Sequence, residues 1–243
     1  MKTTDLRIMN REQLKMLAIV AMTCNHAAYA LLPAGSVYAR ILIYIGYFTA
    51  PVMCRLLVDG YRYTRSKKKY ALRLLITGAA AQLPYMRALG LLQLNFMFTL
   101  LVCLLLLMIL DAVRDPLGRI AAAAALIGLS TFCDWGGIIP AAAALFYLVG
   151  ENRKKQIQAY AAVTILHGIS QMLVRAESPL FSLTDILAEG LFSMIGPALG
   201  GICLYVLYNG RRSERFPRFH KWFFYLYYPA HLAVLALLRL SLS

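Results

Sequence analysis

Charge is scarce in this chain: 15% of its 243 residues are charged against 60% apolar, mean hydropathy is +0.64, and apolar runs recur along the whole length. A soluble domain of this size needs polar loops and amphipathic periodicity, so the composition points to a lipid bilayer as solvent. Paired cysteine spacing is also missing. Cys24, Cys54, Cys103, Cys133 and Cys203 are scattered over different apolar segments, which suggests no metal site and reads as small apolar filling. There is no internal repeat, no linker long enough to separate domains, and no small-residue cleavage pattern after the first apolar run. The expectation is a single membrane domain over 1–243 that keeps its first segment. The net charge of +14 comes without an aromatic-interleaved basic module, so nucleic acid is not an expected partner and anionic lipid headgroups are.

Nine apolar segments are present, at 14–32, 39–58, 70–83, 91–110, 120–133, 138–149, 157–174, 191–208 and 219–238. The expected fold is an all-α polytopic bundle of about nine transmembrane helices. The third, fifth and sixth segments fall short of the roughly 20 residues a crossing needs. Charge placement provides an independent test of the topology. With the N-terminus cytoplasmic, twenty of the 25 Lys and Arg fall on the inner side and four outside, with Arg55 inside a segment. That is the asymmetry of the positive-inside rule. The alanine runs 121–125 and 141–144 are expected to let helices approach closely.

Lys15 and His26 stand out within the first segment. Eleven residues bring His26 back within about 20° of the Lys15 face and some 16 Å deeper, so one helix face carries a cation at its mouth and a titratable base inside. Ionisable groups at membrane depth mark functional sites by default, and imidazole is suited to moving protons near neutral pH. His231 lies at a similar depth on the last segment and could face His26. A backbone carbonyl could equally satisfy it, because Pro229 frees the carbonyl of Tyr225. His167, with Gln171 one turn on, divides evenly between packing and function.

Asn95 and Thr99 share a helix face near the outer end of the fourth segment. Asp134, followed by Trp135, Gly136 and Gly137, sits at an outer turn, where a buried carboxylate could orient an imidazole or bind an acceptor and an exposed one would be a plain turn residue. On the inner side Arg55 and Asp59 have ion-pair spacing. The cluster Arg62, Arg65, Lys67, Lys68 and Lys69 exceeds what topology requires and suits either phosphates or lipid headgroups.

The stretches LKMLAIVAMTCNHAAY (14–29), RLLVDGYRYTRSKKKYALRLL (55–75), LNFMFTL (94–100), CDWGG (133–137) and KWFFYLYYPAHL (221–232) together resemble the TraX family of membrane proteins over nearly the whole chain. The resemblance implies a bacterial cytoplasmic membrane protein related to pilin acetylation. It is also similar in plan to transmembrane acyltransferases, where a basic residue, ten intervening residues and a histidine mark the acyl-transfer site. Lys15 and His26 match that spacing. One position departs: the residue before the histidine is usually aspartate in the family and is Asn25 here, which supplies no negative charge to an imidazolium.

The resulting expectation is an acyltransferase using cytoplasmic acetyl-CoA. Lys15, Arg55 and the Arg62 to Lys69 cluster hold the donor, His26 is the general base, and Asn95 or Thr99 serves as the oxyanion donor. Asp134 could take over the charge that Asn25 lacks, His231 could face the base, Asn25 can still hold a partner by hydrogen bonds, and the acceptor arrives from the outer side or the bilayer. A proton-coupled transporter, with helices broken at Pro51, Pro197 and Pro229, and a non-catalytic scaffold are the rival readings.

Overall fold

A computed structural model describes residues 6–213 and 217–242; Lys2 and Arg215, counted in the charge balance, lie outside them. The chain forms α1 (Arg11–Leu31), α2 (Val37–Gly46), α3 (Thr49–Tyr63), α4 (Lys67–Leu89), α5 (Phe96–Ala112), α6 (Pro116–Leu129), α7 (Ile138–Leu148), α8 (Arg153–Ala176), α9 (Leu183–Ser193), α10 (Ile195–Ile202) and α11 (Pro217–Leu242). Extended pairing among the described residues is confined to two isolated bridges, Met9 with Tyr208 and Leu94 with Cys133. Local chemistry explains the helix starts. Asn10 and Gln13 form a reciprocal capping box at α1, Ser66 caps α4, and Asp115 caps α6 with Pro116 behind it.

Each of the nine apolar segments is helical. The second is the interrupted pair α2 and α3, and the eighth is α9 and α10 running into a π turn at Cys203–Leu207. Among the described residues, five passages are long and apolar enough to cross a membrane: Arg11–Leu31, Val37–Tyr63, Arg153–Ala176, Leu183–Leu207 and Trp222–Leu242. The chain is therefore an all-helical polytopic membrane protein by the length and composition of its helices. Helix α4 has the length, but five cations dilute it. Helices α5 and α7, and the stretch 116–132, are apolar and shorter.

α3 lies at the centre, buried from Thr49 to Tyr61 at most positions and packed on α1, α5, α7 and α10. α1 contacts α2, α3, α4 and α11, so one of its faces meets the interior over its full length. The two alanine runs differ in their surroundings. Ala142 and Ala143 of α7 are buried in the core, whereas α6 buries no residue and its run 121–125 is partly or fully exposed. The α6 run therefore lies outside the buried core, where α6 packs on α5, on α7 and on the 3-10 turn that follows it.

Candidate functional site

Positions 11, 15, 19, 22, 26 and 29 of α1 follow the 3.6-residue period and form one stripe, and that stripe lines two cavities laid end to end. The first, about 490 Å³, is walled by Arg11, Lys15, Arg73, Arg212 and Glu12, with apolar residues of α3, α5 and α11 deeper in. The second, about 310 Å³, is walled by Asn25, His26, Tyr29, Tyr47, Asp134, Trp135, His167 and Gln171. Met22 and Tyr228 belong to both walls.

The basic cavity keeps its cations poorly neutralised by protein. Lys15 Nζ sits 4.7 Å over the Phe224 ring. Arg73 lies near the rings of Tyr70 and Tyr225 and donates to the Tyr225 hydroxyl at 3.4 Å. Arg11 donates from Nη2 to the Leu56 carbonyl at 2.8 Å, and its Nε is buried without a hydrogen-bond partner. Among the described residues Glu12 is the one carboxylate in this wall, so three arginines and a lysine face a space suited to an anion.

The other expected donor ligands are elsewhere. Arg55 pairs with Asp59 and lines a separate shallow pocket with Arg153 and Tyr205. Arg62 reaches Glu151 and the Tyr147 carbonyl, each at 3.5 Å. Lys67 is held by Asp111 at 2.8 Å and by the Tyr61 hydroxyl at 2.6 Å. Arg65, Lys68 and Lys69 are exposed, and none of them lines the basic cavity. Helix phase accounts for α3: Leu56, Gly60 and Thr64 face the cavity, which turns Arg55, Asp59 and Arg62 away. Of the expected donor set, Lys15 alone lines it, and Arg11, Arg73 and Arg212 take the places expected of the cluster. Arg11 was readable as one turn before Lys15; Arg73 and Arg212 had no local signal.

His26 and His231 are both buried, and Nδ1 of His26 lies 2.8 Å from Nε2 of His231. Nδ1 of His231 lies 3.0 Å from the carbonyl of Tyr227, not that of Tyr225, because the side chain reaches back one turn to position i−4. A carbonyl oxygen only accepts, so His231 carries its proton on Nδ1 and accepts on Nε2 from the Nδ1–H of His26. For two neutral rings this places the lone pair of His26 on Nε2. The tautomer of His26 is thus set by a second histidine on a backbone carbonyl, in the position where a carboxylate would ordinarily serve. Tyr227 stacks on His231 at 5.1 Å and shares a 2.8 Å hydrogen bond with Thr23, tying α11 to α1 around the pair.

Asn25 lines the second cavity, but its amide donates to the Ile43 carbonyl at 3.1 Å, and its Cβ sits where a side chain at Gly46 would go. It staples α1 to α2 and supplies His26 with no charge. Asn95 and Thr99 are fully buried and line neither cavity. The Asn95 amide donates to the Gly78 carbonyl at 2.7 Å and to Gln82 at 2.9 Å while its oxygen caps α5. The Thr99 hydroxyl donates to the backbone carbonyl of Asp134. Their capacity is used on the scaffold, which corrects the expectation of an oxyanion donor at either.

That scaffold shapes the Asp134 turn. Leu94 accepts from the Asp134 amide at 2.7 Å, and Trp135 is forced to φ 58°, an uncommon conformation for a non-glycine residue. Gly136 is packed so tightly that a Cβ would lie 1.8 Å from the Ser130 carbonyl oxygen. The held Trp135 ring stacks on His167 at 4.4 Å, with Tyr47 edge-on to the imidazole at 4.7 Å, and Nε2 of His167 is buried without a partner. Asp134, half-buried in the same wall, has its carboxyl pushed up to about 7 by removal from water.

Residues 10–239 match the family described as TraX protein. The probable fimbrial assembly protein FimC, serogroup H1, of Dichelobacter nodosus is 31% identical, over 95% of this chain and 96% of that protein. No solved structure matches the chain.

Proposed function

The chain belongs to the TraX family, and from that premise we propose that it is an integral membrane acyltransferase moving an acetyl group from cytoplasmic acetyl-CoA to a hydroxyl or amine acceptor. The observation that carries the reading is the pairing of a basic cavity with a His-bearing cavity across a shared wall. In this reading the CoA phosphates meet Lys15, Arg11, Arg73 and Arg212 at the inner mouth, and the pantetheine arm runs up the α1 stripe. The rise from Lys15 to His26 is about 16 Å, of the order that arm can reach. The acceptor occupies the second cavity, where His26 Nε2 takes its proton as it attacks the thioester carbonyl. Asp134 and His167 are close enough to the same space to hold the acceptor's polar groups. The relative named for fimbrial assembly makes a pilus subunit one acceptor to test.

Purified protein titrated with acetyl-CoA, and assayed with labelled acetyl-CoA against amine, hydroxyl and peptide acceptors, tests this. Lys15→Ala is expected to weaken CoA binding more than it slows transfer, since a phosphate contact made equally in ground and transition states mainly sets affinity. Lys68→Ala, on the exposed cluster, should leave binding unchanged. His26→Gln should lose about 10² to 10⁴ in rate with CoA affinity kept. Wild-type turnover in His26→Gln would make the histidine structural. Absence of any acetyl-CoA binding would favour a transporter, for which the two cavities are halves of one path.

A further inference from the structure

We propose that the Tyr228 hydroxyl is the hydrogen-bond donor to the oxyanion formed during acyl transfer. The inference rests on the acyltransferase reading above and names a catalytic group within it.

Tyr228 is 2% exposed, and no hydrogen bond satisfies its hydroxyl. The backbone amide of Phe96 faces the phenol oxygen as a donor, and an N–H cannot accept, so the phenol proton stays unclaimed. Buried polar atoms are normally paired, so an unpaired one calls for a reason. Among the described residues few buried side-chain atoms share this condition, and three of them belong to residues that line the cavities: Arg11 of the basic cavity, His167 of the second, and Tyr228 of both. Met22, the other residue common to both walls, has a thioether and no proton to donate. Of the two residues that line both cavities, Tyr228 is therefore the one with a proton to donate.

Its surroundings fit the task. The ring lies edge-on to His26 at 6.3 Å and to His231 at 5.5 Å, so the phenol is held beside the base by the same pair that sets the base's tautomer. Position 228 precedes His231 by three residues on α11, which puts the two on neighbouring faces of one rigid element. The donors expected from sequence, Asn95 and Thr99, have their hydrogen-bonding capacity committed to the scaffold.

In the addition step the acceptor oxygen or nitrogen forms a bond to the thioester carbonyl carbon, and its proton passes to His26 Nε2. The carbonyl π pair moves onto oxygen, where the Tyr228 O–H donates without giving up its proton. Collapse restores C=O and breaks C–S, and the departing thiolate takes the proton back from His26. A preorganised neutral donor in a water-poor wall stabilises the charge as it develops and needs no reorganisation.

Tyr228→Phe deletes one oxygen and keeps the ring that packs against both histidines. It is expected to lower kcat by about 10² to 10³ while the Kd for acetyl-CoA and the thermal midpoint stay at wild-type values. A 3-fluorotyrosine at 228, which retains a hydroxyl of similar size, should keep turnover within a few-fold of wild type and so separate loss of the donor from loss of packing. If Tyr228→Phe turns over like wild type while His26→Gln is inactive, the inference fails and the acyltransferase reading stands. If the fluorinated protein is as inactive as Tyr228→Phe, packing explains the loss and the inference fails. A wild-type protein that binds acetyl-CoA yet transfers to no acceptor overturns both.

Discussion

Asp134 carries a consequence that belongs to a single residue. Its folded-state carboxyl is raised to about 7 by exclusion of water, whereas the unfolded chain ionises near the ordinary aspartate value. Between roughly pH 4 and pH 7 the unfolded state releases this proton and the folded state keeps it, so the group's contribution to stability is full below that window and is lost as pH rises through it. Asp134→Asn should flatten this part of the curve: thermal midpoints in detergent from pH 4 to pH 8 should fall less for the variant than for wild type. An unchanged slope would show that Asp134 ionises normally.

Among the helices and their connections, the turn between α6 and α7 is the most constrained piece of the second cavity. Gly136 has no room for a Cβ against backbone atoms of Ser130 and Thr131, and Gly137, at φ +73°, has open space around it. Overpacking against backbone costs about 1 to 3 kcal/mol, so Gly136→Ala should lower the thermal midpoint and displace Trp135 from His167. Gly137→Ala meets backbone strain without a clash and should be milder. Trp135 and Trp222 are the two tryptophans of the chain, so a fluorescence change confined to Gly136→Ala would report the movement. Equal effects from both substitutions would refute this account of the turn.

For the protein as a unit the topology is the quantity at stake, because the basic cavity is useful to a cytoplasmic donor only if its mouth opens inward. The charge split leads to the expectation that Gly35 and Ser178 lie outside and Ser66 and Ser213 inside. Cysteines introduced at these positions, after the native thiols are blocked, should react with an impermeant reagent at the first two only. Outer labelling at Ser66 would invert the protein and place the Lys15 mouth on the wrong side.

Local chemistry alone specified the elements, because apolar run length and turn signals act over a few residues: all nine runs are helical, α1 starts at its capping box, and Lys15 and His26 share a face because the helix period requires it. It also brought His26 and His231 to one depth, since both are counted from a charged helix end. Packing between distant segments settled the rest: which carbonyl holds His231, that Asn95 and Thr99 are used up on the scaffold, and that Arg73 and Arg212 join Lys15 while Lys67 is drawn to Asp111. Hydrogen-bond capacity is finite, and its use depends on which groups from far along the chain are buried alongside. Tyr228 illustrates the limit: the packing of α11 against α1 and α4 sets it between the two cavities and buries its hydroxyl with nothing to accept the proton.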